Sequence, residues 1–115
     1  MALHIKTKYG AGHLWDGLKG KLEKGEIDTW MMDSDGDFTH RPVQWVKRAW
    51  FRKSKASSAN ELVFGLIGRE DENMSKVIYA VYHGRFAEML LTYFDEEIET
   101  VEISSLAEVD VDFFR

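Results

Sequence analysis

The apolar positions fall into two rhythms. Leu14, Trp15, Leu18 and Leu22 recur at three- and four-residue intervals, the spacing of one helical face, and predict an N-terminal helix. Gly25 follows as a plausible C-cap. Gly17 and Gly20 lie inside, and each costs about 1 kcal/mol relative to Ala in a helix interior. The helix therefore depends on packing, unless the glycines let another element approach closely. From Ile27 the rhythm shortens. "IDTWMM" and "FTH" read as extended segments on either side of "DSDGD". After Pro42, "VQWVKRAWFR" alternates in part, with Val43, Trp45, Lys47, Ala49 and Phe51 on one face and Gln44, Val46, Arg48, Trp50 and Arg52 on the other. "ELVFGLIG" is a short apolar strand that ends at Gly68.

"KVIYAVYH" is almost wholly β-branched or aromatic and reads as a strand to about His83, broken by Gly84. Ile78, Val81, Tyr82, Arg85, Phe86, Met89, Leu90 and Tyr93 also share a helical spacing, so this segment has a second reading as the start of the next helix. A helix is expected over about 84–96, with Phe86, Met89, Leu90, Tyr93 and Phe94 inward, then a last strand over "ETVEIS". Strands in sequence joined by short polar loops favour an antiparallel sheet. The expected fold is α+β: a meander-like sheet of five or six strands with both helices on one face. The chain is expected to be a single domain over 1–115, with an extended or partner-pairing tail at 105–115.

Composition narrows the function classes. The absence of cysteine removes disulfides, thiolate metal sites and thiol nucleophiles. "MALHIKTKYG" lacks the apolar core of a signal peptide, and no apolar run approaches the ~20 residues that span a bilayer. A cytoplasmic location and no membrane contact are expected. The net charge of −5 disfavours a nucleic-acid coat. Charge is segregated: Arg41 to Lys55 holds six bases and no acid, and Glu88 to Asp112 holds nine acids and no base. These segments are expected to neutralise each other or to face water.

The aspartates are the first candidate chemistry. Aligning Gly36 with the invariant glycine of a calcium-binding loop puts Asp33 and Asp35 at ligand positions. Met31 and Pro42 then stand where the first ligand and the bidentate glutamate are needed, so this is no such loop. A hairpin is favoured. With Asp35-Gly36 as a two-residue turn, Ser34 pairs with Asp37 and Met31 with His40, and the three carboxylates diverge. With a three-residue loop Asp33 faces Asp37, which is destabilising unless a cation or a basic side chain intervenes.

Three further candidates remain. His83 and Arg85 stand at the expected strand–helix junction, where an anion can bind. Arg48, Trp50 and Arg52 form an aromatic and basic stripe suited to single-stranded nucleic acid. Val109, Val111, Phe113 and Phe114 form a tail that could pair with its own sheet edge, with a second copy or with a partner's groove. No nucleotide or cofactor fingerprint is present: Trp15 and Leu22 interrupt the two glycine motifs that come nearest. The leading expectation is a small protein-interaction domain without catalytic activity, its partner another protein or itself. The alternatives are a divalent-metal enzyme acting on phosphoesters through Asp33, Asp35, Asp37 and His40, and a single-stranded nucleic-acid module.

Overall fold

A computed structural model of the chain describes residues 2–114. These form two α-helices, a short 3-10 helix (Asp95–Glu97) and a six-stranded sheet. In chain order the elements are β1 (Leu3–Thr7), α1 (Ala11–Glu23), β2 (Trp30–Met32), β3 (Phe38–His40), β4 (Ala49–Lys53), β5 (Glu61–Gly68), α2 (Lys76–Phe94) and β6 (Ile98–Ile103). The sheet order is β2-β3-β4-β5-β1-β6, and every strand pair is antiparallel. The fold is therefore α+β, with β2 to β5 as the meander. Among the described residues no helix is long and apolar enough to cross a membrane.

α1 forms where the spacing places it, with Leu14 and Leu18 buried and Trp15 and Leu22 packed against the core. It ends in a Schellman motif: the Glu26 N–H donates to the Lys21 carbonyl and the Gly25 N–H to that of Leu22.

The structure departs from expectation in three places. A strand precedes the N-terminal helix, where none was expected. β1 alternates buried Leu3, Ile5 and Thr7 with more accessible His4 and Lys6, and it lies between β5 and β6. The second correction concerns 76–83, which is the first half of α2 and not a strand. The Ser75 side chain caps this helix by accepting the Ile78 N–H at 3.0 Å. Helical geometry gathers Ile78, Tyr82, Phe86, Met89 and Leu90 on one buried face, and that packing outweighs the strand preference of "VIYAVY". Gly84 continues the helix on its exposed side. Third, residues 42–48 turn and do not extend; β4 begins only at Ala49. The Pro42 carbonyl accepts the Trp45 and Val46 N–H groups, and Lys47 takes a positive φ of 58°. This turn is anchored from inside. The Thr39 hydroxyl donates to the Ala49 carbonyl and accepts the Lys47 N–H, while the Tyr82 hydroxyl donates to the Trp45 carbonyl.

Both helices cover the same face of the sheet, over Leu3, Ile5, Phe38, Phe51, Leu62, Phe64 and Leu66. The opposite face carries the alternate residues, His4, Lys6, Trp50, Arg52, Val63, Gly65 and Ile67. Part of it lies under the tail. Val111 packs with Ala2 and Val63, and its carbonyl oxygen would lie 1.7 Å from any Cβ placed on Gly65.

Two glycine substitutions should have opposite signs. Gly84→Ala meets no atom within 4 Å and should stabilise the fold by about 0.5–1 kcal/mol in urea unfolding. Gly65→Ala drives a methyl into the Val111 backbone and should destabilise by about 1–3 kcal/mol. A strand at 76–83 would reverse the first result.

A mixed-charge basin on the open face of the sheet

The hairpin between β2 and β3 holds a three-residue loop, not the two-residue turn favoured by Asp35-Gly36. Trp30 pairs with His40, Met31 with Thr39 and Met32 with Phe38, and the Asp33 N–H donates to the Asp37 carbonyl at 2.9 Å. Gly36 closes the loop at φ 82°, in the left-handed region that glycine tolerates. Asp33 and Asp37 thus face each other. Asp33 Oδ1 accepts the N–H groups of Asp35 and Asp37 at 2.9 and 3.0 Å, which ties the loop to itself. One oxygen from each of Asp33, Asp35 and Asp37 lies within 4.8 Å of the others.

A basic side chain answers this concentration of charge. The register that pairs Phe38 with Phe51 sets Arg52 opposite Asp37, and the guanidinium grips the carboxylate at 2.9 and 2.6 Å. Asp37 is buried, whereas the Arg52 side chain keeps half its surface in water. The hydrogen bond to Asp37, with the charges of all three aspartates, raises the Arg52 pKa above its ordinary value.

The aspartates and Arg52 form one side of a basin of about 490 Å³ on the open face. Half-buried Trp50 lies in it with Ile67, its cross-strand partner. Lys47, Arg69, Glu70 and Asp71 complete the rim, and Arg69 grips Asp71 at 2.8 and 2.9 Å. The three aspartates of the metal candidate and Trp50 and Arg52 of the nucleic-acid candidate thus share one surface. The rim residues beyond β5 left no signal in the sequence: "REDENMS" reads as a polar connection, and only the register that pairs Ala49 with Gly68 brings it beside Lys47.

The candidate sets do not stay whole. His40 leaves the aspartates, because it shares the face of Phe38 and stacks on Trp30 with ring centroids 4.6 Å apart. Its Nδ1–H donates to the Thr29 carbonyl at 2.9 Å. Burial lowers its pKa, and nearby Arg85 pushes the same way. His83 and Arg85 do not converge on an anion, since 76–83 is helical and no helix N-terminus lies at Gly84. His83 is buried, stacks on Tyr79 and donates to the Tyr79 carbonyl one turn back, while Arg85 faces solvent and pairs with Glu88. Arg85 instead lines a cleft of about 200 Å³ with His40 and Trp45. Arg48 precedes β4, lies outside the basin and pairs with Glu72 at 3.7 Å. In the tail Val111 is buried and Phe114 packs against Tyr79, while Val109 and Phe113 are exposed. The Phe113 backbone bridges to Ile67, so the tail pairs with its own sheet.

Among the described residues no ion pair joins the acidic segment to the basic one. Arg48 and Arg52 pair with Glu72 and Asp37, whereas Glu97, Glu102 and Glu108 pair with His13, Lys6 and His4. Comparison with protein-family models, curated proteins and solved structures found no match to this chain.

Arg52 engages both carboxylate oxygens of Asp37, the buried member of the three aspartates. Mg²⁺ or Ca²⁺ at about 1 mM should therefore leave the amide resonances of Asp33 to Asp37 unmoved in the intact chain. Arg52→Ala should make them respond and should cost about 1–3 kcal/mol of stability, because buried Asp37 loses its partner. A response in the intact chain would contradict this assignment. His40 gives a separate pH dependence. Its folded pKa lies below 6.5, so protonation favours the unfolded chain and stability falls as pH drops through that region. Because His4, with a raised pKa, contributes with the opposite sign, the His40 effect is read as a difference: in denaturant unfolding between about pH 7 and 5, the chain should lose stability relative to His40→Asn as pH falls.

Proposed function

We propose that the chain is a protein-interaction domain without catalysis of its own, and that it binds a protein partner of net basic surface through the basin around Trp50. The observation that carries this reading is Trp50 itself, a half-buried indole on the sheet face that neither helix covers, with Arg52 beside it. Trp and Arg are the residues that most often dominate binding energy at protein interfaces. Charge selects the partner. The rim sets five carboxylates against three cations, two of which are already paired, on a chain of net charge −5. The same imbalance repels phosphate and places a single-stranded nucleic acid second.

A non-catalytic role is supported by how the polar groups are committed. Arg52 and Arg69 are spent on Asp37 and Asp71, and Asp33 holds its own loop. The groups in the basin whose pKa values are shifted, Arg52 and Arg69, are raised by their own aspartate partners and so are held charged, while His4, His40 and Tyr79, the other shifted groups, lie outside it.

The test places a photo-crosslinking residue at position 50 and, as a control, at position 91 on the exposed side of α2. A protein captured at 50 and not at 91 is then purified and titrated against the chain. Its affinity should fall at least about tenfold with Trp50→Ala and should weaken with salt. Equal capture at both positions, or full affinity in Trp50→Ala, would refute the reading. Salt-sensitive binding of a single-stranded oligonucleotide that Trp50→Ala abolishes would replace it with the nucleic-acid reading.

A further inference from the structure

The tail after β6 crosses the open face and then enters the sheet. It is held at three places. Val111 sits over Gly65, with Ala2 and Val63 around it. Asp112 accepts the Leu66 N–H through Oδ1 and the Glu108 N–H through Oδ2, each at 2.7 Å. The Phe113 N–H donates to the Leu66 carbonyl and its carbonyl accepts the Gly68 N–H, both at 2.9 Å. These contacts extend β5 on the side where its pairing with β1 stops at Phe64.

A fourth contact has a different character. His4 stands on the open face of β1 between two carboxylates from distant parts of the chain. Its Nδ1 lies 2.8 Å from Glu61 Oε1 on β5, and its Nε2 lies 2.8 Å from Glu108 Oε2 in the tail. A neutral imidazole carries one N–H, so it can donate to one of these oxygens and must point a lone pair at the other. Only the imidazolium donates to both. We propose that His4 is a pH-operated latch: with both ring nitrogens protonated it clamps the tail to the sheet through Glu108, and on losing one proton it lets the tail loosen.

The surroundings favour the proton. Burial pulls the His4 pKa down, but the hydrogen bonds and charges of Glu61 and Glu108 outweigh it, so the value is raised above 6.5. Glu102 is the cross-strand neighbour on β6 and Asp112 lies in the tail; Lys6, two residues along β1, is paired to Glu102 at 3.9 Å. The sign follows. The latch is fully closed below about 6.5, the unfolded value, and is lost as pH rises through the higher folded value. Loosening would uncover Val63, Gly65 and the outer backbone of Leu66 and Gly68, next to Ile67 in the basin wall. The latch does not depend on what the basin binds.

The experiment uses the full chain in NMR between about pH 5.5 and 8.5. The His4 ring is titrated directly. Amide exchange, corrected for its intrinsic pH dependence, is followed at Leu66, Gly68 and Phe113, with Thr7, which bonds to Asn60, as the reference in the sheet. His4 should titrate above 6.5. Protection at the three tail-linked amides should fall roughly tenfold or more through that transition while Thr7 holds, as one charge-assisted hydrogen bond is lost. His4→Gln should give low, pH-independent protection at the same amides. Should that variant not fold, Glu108→Gln tests the same contact while leaving His4 with Glu61, and it too should abolish the pH dependence. A His4 titration at or below 6.5, constant protection across the range, or a fall shared equally by Thr7 would overturn the proposal.

Discussion

One ring on α2 fixes the architecture. Phe86 meets Trp30, Phe38, Phe51 and Phe64, with ring centroids 4.6 to 6.1 Å apart, and so touches residues of four different strands. Such a cluster forms only if β2, β3, β4 and β5 present their aromatic residues to the same side and α2 crosses them there. Aromatic pairs of this geometry contribute roughly 0.5–1.5 kcal/mol each beyond the area they bury. The convergence also settles α2 itself. Tyr82 and Ile78, one and two turns before Phe86, enter the same core, and Tyr82 also packs on Trp30 and Phe51, so helix through this segment keeps all three in place.

Because both helices are committed to that side, the other side of the sheet is left for different work. The tail covers one part of it, around Val63 and Gly65, and the basin takes the part around Trp50. The sheet order keeps the chain's charge segregated as well. β5 and β1 stand between β4 and β6, a separation of roughly 14 Å, so the bases of β4 and the acids of β6 itself find their partners locally. A surface with distinct charged regions results, which suits a domain that selects its partner by electrostatic complementarity.

The fold class was legible because alternation and helical spacing are local, and so were α1 and its glycine cap. The elements that were not legible depend on distant contacts. β1 is five residues of ordinary alternation whose importance comes only from lying between β5 and β6. "VIYAVY" has the composition of a strand and becomes helix because Tyr82 and Phe86 are needed on one face. Residues 42–48 alternate like a strand and turn because Thr39 and Tyr82 hold their backbone from inside. In the hairpin a shift of a single residue decided everything. The strong turn pair Asp35-Gly36 pointed to a two-residue turn, but Phe38 must face Phe51 and Phe86, and that requirement sets a register in which Asp33 meets Asp37. Arg52 then makes the register tolerable. The sequence had placed that residue in a separate nucleic-acid stripe.

The most direct test of the central claim is a map of amide shift changes across the whole chain when a purified basic protein partner is added. Changes should concentrate at Asp33 to Asp37, Lys47, Trp50, Arg52 and Ile67 to Asp71, with the exposed side of α2 around Val77 and Leu91 unmoved. Changes centred on α2 with the basin silent would contradict it.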